Sequence, residues 1–300
     1  MKEKEKGMVW GSFVGDAMAL GTHWVYNTNV IDKKFGRVEQ YLDPLASYHK
    51  GKQKGDFTHY GDQALLLLTS VSTAGGFDRT AFAKAWQSYF DDYQGYRDKA
   101  TQTTLENISN GGNLLESGSS SDDLGGAARI APILYAHAQD LDAALLAALH
   151  QTAMSHNNPD VLATTDFFVR LVMRALAGEG PSRIIQDLIE NQFHDTELAD
   201  SVALGLASQG KDTRTVIAEF GQMCSVEAAT PGTIHLITSY ENNFKQALVE
   251  NVMAGGDSAA RGMFVGMVLG AYVGIDVIPK EWLTSLNARE RIEQLLAALD

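Results

Sequence analysis

Three aspartates stand in short motifs beside segments rich in apolar residues. Asp16 lies in a Gly-Asp-Ala motif of the first apolar stretch, Asp62 comes just before four consecutive leucines, and Asp257 follows a glycine pair. A carboxylate in apolar surroundings is costly to bury unless it is paired, hydrogen-bonded or bound to a metal. Each motif is therefore a candidate for acid–base chemistry or for metal binding. The alternative for each is a helix cap or a satisfied structural carboxylate, with His59 as a second candidate cap beside Asp62.

Side chains suited to a polar and aromatic ligand pocket flank these aspartates. Trp24 or Tyr26 would stack on a base or sugar ring, and Arg261, one helical turn after Asp257, would pair with that carboxylate or with an anionic ligand. The same residues also occur as ordinary core and rim residues, which is the competing interpretation. The full set of candidate pocket residues is Asp16, His23, Trp24, Tyr26, Tyr60, Gln63, His156, Gly256, Ser258 and Arg261.

Helices must position these motifs. Apolar residues recur at helical spacing, only six prolines occur in the chain, and alanine and leucine are frequent. The segment 233–238 is rich in β-prone residues and stays ambiguous, while loops are expected at 41–58, 109–126 and 156–160. Within the second loop, the run 119–123 has the composition of a solvated segment. Helices are predicted over 80–93, 141–154, 161–176, 181–190, 212–223 and 289–299, and Asp212 or Thr213 would cap the segment at 212.

Two glycine stripes predict a close helix crossing. Gly262, Gly266, Gly270 and Gly274 recur every four residues, and Gly7, Gly11 and Gly15 do the same at the start of the chain. Glycine in a helix interior costs about 1 kcal/mol relative to alanine, so close approach of a second helix is the simplest compensation. We therefore expect these two helices to cross at the centre of the fold.

Charge and composition exclude several classes of partner. The net charge is −13 and the estimated pI is about 5.0, so binding to nucleic acid is disfavoured. The single cysteine, Cys224, is interpreted as a small buried thiol and fits a reducing cytoplasm. The lysines and glutamates that alternate at the N-terminus do not resemble a signal peptide. The most apolar later stretch, 263–275, is too short to span a membrane and predicts a buried helix.

The order of five motifs along the chain is more specific than any one of them. They are Gly-Asp-Ala at 15–17, the aspartate at 62 before a leucine-rich helix, Ala-Ala-Arg-Ile-Ala-Pro at 127–132, Ser-His-Asn-x-Pro at 155–159 and Gly-Gly-Asp-Ser at 255–258. In this order they resemble the ADP-ribosylglycohydrolase family over nearly the whole chain. The resemblance implies an all-α fold, a compact orthogonal helical bundle of that family's type, formed as one domain from residues 1–300.

The resemblance also implies a dimagnesium hydrolase of N- or O-glycosidic bonds in ADP-ribosylated groups, but the ligand motifs differ here. Gly61 and Ala259 stand where each family motif has a second aspartate, and Gln63 and Ala260 replace the threonines that follow. His23 stands where the family has a glutamate. Two magnesium ions require octahedral oxygen shells with several anionic ligands. Because several of these ligands are replaced here, the sequence predicts chemistry that differs from the two-magnesium mechanism.

We expect Asp62 and Asp257 to remain as candidate metal ligands. They could hold one magnesium ion at most, and that ion would bind weakly or be absent. We expect the Arg261 guanidinium to occupy part of the vacated metal volume. The changes are concerted and resemble a branch of the family that includes the jellyfish J-type crystallins. They lie at His-Trp-x-Tyr (23–26), at Tyr-Gly-Asp-Gln (60–63) and at the arginine after Gly-Gly-Asp.

Two classes of function remain open. In the first, the protein hydrolyses an N- or O-glycosidic bond of an ADP-ribosyl-like small molecule or an ADP-ribosylated substrate, with Asp62, Asp257 and His23 as acid, base or water-orienting groups. In the second, it is a non-catalytic binder of a nucleotide or ADP-ribose, or a structural, crystallin-like protein. The polar residues kept at all three motifs favour the first class, and the lost metal ligands favour the second.

Overall fold

The computed structural model describes residues 2–300, and helices carry nearly all of their regular structure. Pairing between extended segments in this range is limited to three isolated β-bridges, so the predicted all-α class is confirmed. None of the described helices combines the length and apolar character needed to cross a bilayer. The α-helices are α1 (Lys2–Leu20), α2 (Thr28–Phe35), α3 (His59–Ala74), α4 (Arg79–Asp92), α5 (Lys99–Ser109), α6 (Gly125–Ala128), α7 (Ala131–Ala136), α8 (Leu141–Ala153), α9 (Pro159–Leu176), α10 (Pro181–Asn191), α11 (Glu197–Ala207), α12 (Thr213–Phe220), α13 (Val226–Ser239), α14 (Phe244–Met253), α15 (Ser258–Val273), α16 (Lys280–Thr284) and α17 (Arg289–Ala297).

Most predicted helices are found where apolar periodicity placed them. Helices α4, α8, α9, α10 and α17 agree with the predicted ranges to within two residues at each end. The predicted helix 212–223 is shorter and ends at Phe220, because Gly221 has a φ of 104° and leaves the helical conformation. Asp212 caps it, as expected, by accepting a hydrogen bond from the amide of Thr215.

The ambiguous segment 233–238 is helical and lies inside α13. Its β-prone residues are buried, and their hydroxyl groups are satisfied within the helix. Thr233 donates to the carbonyl of Ala229 (2.7 Å), and Thr238 donates to the carbonyl of Ile234 (2.9 Å). Burial against neighbouring helices therefore outweighs the local β preference.

Asp62 and Asp257 were also candidate helix caps, and neither acts as one. The side chain of Thr58, not Asp62 or His59, caps α3 by accepting from the amide of Tyr60. Asp257 stands at the N-cap position of α15 but makes no capping hydrogen bond. Both carboxylates are directed to other partners, which are described below.

The predicted helix crossing is confirmed, and it is a backbone-to-backbone contact between α1 and α15. A Cβ atom on Gly11 would lie 2.0 Å from the carbonyl oxygen of Gly266, and one on Gly266 would lie 2.0 Å from that of Gly11. Gly7 and Gly15 face Gly270 and Gly262 in the same way. Gly274 is an exception, because α15 ends at Val273 and Gly274 is its C-cap with a φ of 108°. The crossing brings the end of α1 beside the start of α15, where two of the sequence motifs lie.

We predict that Gly266→Ala lowers the free energy of unfolding by at least about 2 kcal/mol, since the new methyl meets a carbonyl that cannot move away. The better helix propensity of alanine offsets only about 1 kcal/mol. Gly232→Ala in α13 is the control, because its Cβ would meet side chains at 3.4 Å, an ordinary contact. Urea unfolding of both variants checks this, and equal stability of the two would contradict the assigned contact.

Candidate active site

A short antiparallel pairing joins the segment after α1 to the segment before α15. The amide of Trp24 donates to the carbonyl of Gly256 (2.8 Å), and the amide of Gly256 donates to the carbonyl of Val25 (3.0 Å). Gly255 and Gly256 have φ values of 68° and 69°. A Cβ on Gly255 would lie 2.5 Å from the carbonyl oxygen of Val25. The glycine pair is thus required by the backbone, and it sets the Trp24 ring beside Asp257.

Asp257 is the polar centre of this junction, and it is 1% exposed. Its Oδ2 accepts from the indole N–H of Trp24 (3.2 Å) and from the hydroxyl of Tyr60 (3.1 Å). Its Oδ1 has no hydrogen-bond partner among the described residues and lies 3.7 Å from Nδ1 of His23. Both ring nitrogens of His23 also lack a partner in that range. Buried polar atoms left open in this way mark the position that a water, a ligand atom or an ion would occupy.

Asp123, which is partly buried, completes the centre on the Tyr60 side of Asp257. The Tyr60 hydroxyl lies 3.2 and 3.1 Å from its two oxygens, and the amide of Gly125 donates to Oδ1 (2.7 Å). Burial, and then the charge of Asp257, raise the pKa of Asp123 to about 8. The interpretation of run 119–123 as a solvated segment is therefore wrong at Asp123. The apolar residues that follow it are the only sequence signal of its burial.

Cys224 lies against this carboxylate pair. Its Sγ is within 4.8 Å of an oxygen of Asp123 and of Asp257. Burial, followed by the charges of these two aspartates, raises the pKa of the thiol far above its usual range. The raised pKa keeps the thiol protonated at neutral pH, and the side chain is partly buried, whereas the sequence predicted a fully buried thiol.

Three histidines form a buried cluster next to Asp257. One ring nitrogen each of His23, His49 and His59 lies within 4.8 Å of the others. Nε2 of His49 is 3.4 Å from Nδ1 of His59, and Nε2 of His59 is 3.6 Å from a carboxylate oxygen of Asp98. Burial is the main cause that lowers the pKa of all three rings, that of His49 to about 3. The cluster is therefore neutral at neutral pH.

Aromatic side chains cover the cluster on its outer side. The Trp24 ring stacks on His23 with centroids 4.3 Å apart and meets the edges of Tyr48 and Tyr96, each at 4.9 Å. Tyr48 is 54% exposed and Tyr26, nearby in sequence, is 49% exposed. Trp24 itself has a φ of 61°, an uncommon value for a large residue, so its position is imposed by the pairing with Gly256. This rim is the surface where a planar ligand would stack.

Asp62 has a different set of partners from Asp257. Nζ of Lys52 lies 2.7 Å from each of its oxygens, and the hydroxyl of Tyr93 donates to Oδ2 (2.6 Å). Burial raises the pKa of Asp62, and Lys52 and Tyr93 oppose that shift. The carboxylate therefore attaches loop 41–58 to α3 and α4, and its oxygens are already engaged.

Asp16 is a fully buried positioning residue. It accepts hydrogen bonds from the amide and hydroxyl of Thr58 (2.7 and 2.5 Å) and from the amide of Gly61 (3.2 Å). Burial raises its pKa to about 7, against the lowering effect of Thr58. A Cβ on Gly61 would lie 2.4 Å from Oδ2 of Asp16. Asp16 therefore fixes the start of α3, and it leaves no room for the aspartate that the family resemblance places at position 61.

Gln63 and His156 belong to a second buried network behind Tyr60. Arg129 donates to the side-chain oxygens of Gln63 and Ser155, and Trp86 donates to Gln63 (2.8 Å). The Ser155 hydroxyl lies 2.9 Å from Nδ1 of His156, whose pKa burial lowers to about 3. Through these hydrogen bonds Gln63 and His156, which are 2% and 1% exposed, join α3 to the segments around Arg129 and Ser155.

Arg261 does not fill the space between Asp62 and Asp257. Its Nη2 donates to the carbonyl of Gly255 (2.7 Å) and its Nε to the side-chain oxygen of Asn251 (3.2 Å). Within residues 2–300, no ion pair shorter than 4.0 Å joins it to Asp257. Burial lowers its pKa to about 10, so it remains a cation. It holds the glycine turn instead, and Ser258 is buried beside it at the start of α15.

The residues present do not fit a pair of magnesium ions. Both oxygens of Asp62 are bound by Lys52 and Tyr93, and one oxygen of Asp257 is bound by Trp24 and Tyr60. One open carboxylate oxygen falls far short of two octahedral oxygen shells. Of the residues predicted from the sequence, the structure thus brings together Asp257, His23, Trp24 and Tyr60. Asp123, His49 and His59 also belong to this centre. Nothing in the lysine-rich sequence around His49 indicates that it is part of a buried site.

We predict that Asp16→Asn lowers the free energy of unfolding by about 1–3 kcal/mol. The NH₂ group of asparagine would face the N–H and O–H groups whose hydrogen bonds Asp16 now accepts. Asp78→Asn is the matched control, because Asp78 caps α4 through one acceptor bond that asparagine also makes. Thermal unfolding of both variants measures the difference. A loss at position 16 no larger than at position 78 would contradict the positioning role.

Comparisons with known proteins agree with this fold. The family model described as ADP-ribosylglycohydrolase matches residues 1–300. Crystallin J1A of Tripedalia cystophora is 24% identical, with 98% of this chain and 95% of that protein covered. The ADP-ribosylhydrolase ARH3 of Homo sapiens is 22% identical, with 98% and 92% covered. A solved structure titled ADP-ribosylglycohydrolase-related protein complex has the same fold, with a TM-score of 0.76, 22% identity and coverage of 100% and 98%. The chain belongs to the ADP-ribosylglycohydrolase family.

Proposed function

We propose that this protein hydrolyses an N- or O-glycosidic bond of an ADP-ribosyl or similar nucleotide-sugar group. The observation that carries the proposal is the open Oδ1 of Asp257, which faces the unpartnered neutral ring of His23 inside a buried centre. Family membership supports the substrate class, since the human relative is named an ADP-ribosylhydrolase. The chemistry must differ from the two-magnesium scheme, because the carboxylates for it are missing.

A water bound to both Asp257 Oδ1 and His23 Nδ1, which lie 3.7 Å apart, would be the nucleophile. Its oxygen bonds to the anomeric carbon as Asp257 takes one of its protons. The bond from that carbon to the leaving nitrogen or oxygen breaks, and the leaving group takes a proton from the opposite side. One water is consumed, and no oxidation or reduction occurs.

Asp123 is placed to supply the second proton. The Tyr60 hydroxyl lies between Asp123 and Asp257, at 3.1 Å from the nearest oxygen of each. Because burial raises its pKa to about 8, Asp123 is mainly protonated at neutral pH. Two carboxyl groups joined by one hydroxyl are an arrangement suited to paired acid and base work.

Substrate would bind on the aromatic rim. Trp24, Tyr48 and Tyr96 present ring faces and edges above the histidine cluster, and Tyr48 reaches solvent. A flat base stacks well on such rings. The sequence predicted this stacking role for Trp24 or Tyr26. The glycosidic bond would then enter beside Asp257, with Ser258 and Arg261 supporting the turn that holds it.

We predict that Asp257→Asn lowers hydrolysis of an ADP-ribosylated peptide by at least about 100-fold, since the general base is lost. Release of free ADP-ribose is measured by chromatography, with magnesium and with EDTA. Asp78→Asn on the surface cap of α4 is the control and should keep full activity. Turnover that persists in Asp257→Asn would remove this residue from the mechanism. A loss as large in Asp62→Asn would return Asp62 to the site.

We predict that ADP-ribose changes the tryptophan fluorescence of the protein through Trp24. The other three tryptophans are 0–5% exposed, so Trp24 is the indole that a ligand at the rim reaches. Titration should give a saturable change that Trp10→Phe keeps and Trp24→Phe abolishes. The bound protein should also gain about 2.7 kcal/mol of stability at 100 times the Kd. A signal that survives in Trp24→Phe would place the ligand elsewhere.

A second candidate is a binder or structural protein that uses the same fold without turnover. Its support is the burial of the centre, where His23, Tyr60 and Asp257 are each 1% exposed, and the similarity to a protein named a crystallin. Saturable ADP-ribose binding with no release of product in any condition above would favour a binder. Absence of both binding and turnover would favour a structural role.

A further inference from the structure

The three buried histidines come from three separate parts of the chain. His23 follows α1, His49 ends the short 3-10 turn Ser47–His49, and His59 is the first residue of α3. They are 1%, 2% and 1% exposed. Long-range packing alone brings these rings together, with one nitrogen of each within 4.8 Å of the others.

We propose that His23, His49 and His59 form a binding site for a divalent transition metal ion of the zinc type. This inference goes beyond the hydrolysis proposed above, because it concerns metal binding in the absence of any substrate. It also differs in chemistry from the family's magnesium centre, since magnesium selects oxygen ligands while imidazole nitrogen suits zinc, copper, nickel and related ions.

The spacing of the nitrogen atoms fits a tetrahedral ion. Zinc–nitrogen bonds of about 2.0–2.1 Å at tetrahedral angles place two ligand nitrogens about 3.3–3.4 Å apart. Nε2 of His49 and Nδ1 of His59 are 3.4 Å apart. The third ring needs only a small inward movement, because its ligand atom is already within 4.8 Å of both.

The hydrogen-bonding state of the cluster leaves lone pairs directed inward. Nε2 of His59 lies 3.6 Å from the carboxylate of Asp98, which favours a proton on that nitrogen and a lone pair on Nδ1. Both nitrogens of His23 are without a partner among the described residues, so either is available. Oδ1 of Asp257 is also open, 3.7 Å from His23, and is placed to approach the fourth position or the water bound there.

A simple hydrogen-bonded pair of histidines explains less. It accounts for Nε2 of His49 and Nδ1 of His59 alone. It leaves both nitrogens of His23 and Oδ1 of Asp257 buried and unpartnered within residues 2–300, whereas an ion would bind one nitrogen of His23 and lie near that oxygen.

The test uses the whole protein after treatment with a chelator and removal of the chelator. Zn²⁺ is titrated by calorimetry, and Co²⁺ is titrated by visible absorption, because four-coordinate cobalt absorbs far more strongly than six-coordinate cobalt. We expect one ion per chain, an intense cobalt spectrum that Zn²⁺ abolishes, and no competition from excess Mg²⁺. X-ray absorption of the zinc form should show imidazole ligands.

Variants assign the site to these residues. His49→Gln and, separately, His59→Gln should weaken Zn²⁺ binding by at least about 10-fold. His194→Gln, which removes an exposed histidine of α10's following loop, should leave the affinity and stoichiometry unchanged. Zinc binding that is absent, that is equal in His49→Gln, or that shows only oxygen ligands would overturn the proposal. The cobalt spectrum and the zinc titration of the unsubstituted protein need neither a variant nor a substrate. They therefore test the metal site even if a variant misfolds or the protein shows no hydrolysis.

Discussion

Direct contact between the backbones of α1 and α15 is the constraint on which the rest of the molecule depends. Gly7, Gly11 and Gly15 admit the carbonyl groups of the other helix where any side chain would collide. The gain is close packing along both helices at the centre of the core, and it offsets the low helix propensity of glycine. The crossing also fixes where α1 ends and where α15 begins, so the two segments that build the site meet at one end of it.

That junction explains the unusual polarity of the centre. The Gly255–Gly256 turn pairs with Trp24 and Val25, and Arg261 holds the turn from behind. Asp257 is thereby directed at Tyr60 and His23 instead of at the amides of its own helix. A residue that sequence alone would assign to capping becomes an acceptor in a nearly dry centre, where each polar contact is stronger than in water.

The donors of the centre differ in kind from those of a magnesium site. The positions that would carry further aspartates are Gly61 and Ala259, and Asp62 is bound by Lys52 and Tyr93. Neutral imidazoles from His23, His49 and His59 stand in the same region. Fewer carboxylates lower the negative charge of the buried site, and the cations Lys52 and Arg261 balance what remains. The proposed zinc-type ion and the proposed acid–base pair would use this fold with a different set of donors.

The sequence by itself determined the fold class, the bounds of five helices to within two residues, the glycine crossing and the set of candidates that includes Asp257, His23, Trp24 and Tyr60. These depend on periodicity, on residue type and on ordered motifs, which are local properties of the chain. The tertiary structure alone decided that Asp16 and Gln63 are supports, that Asp62 is bound to Lys52, and that Asp123 and His49 belong to the centre. The hydrogen bonds behind those outcomes join residues 10 to 66 positions apart. No local pattern of charge or hydrophobicity encodes such contacts, because burial and hydrogen bonding are settled only when the helices pack.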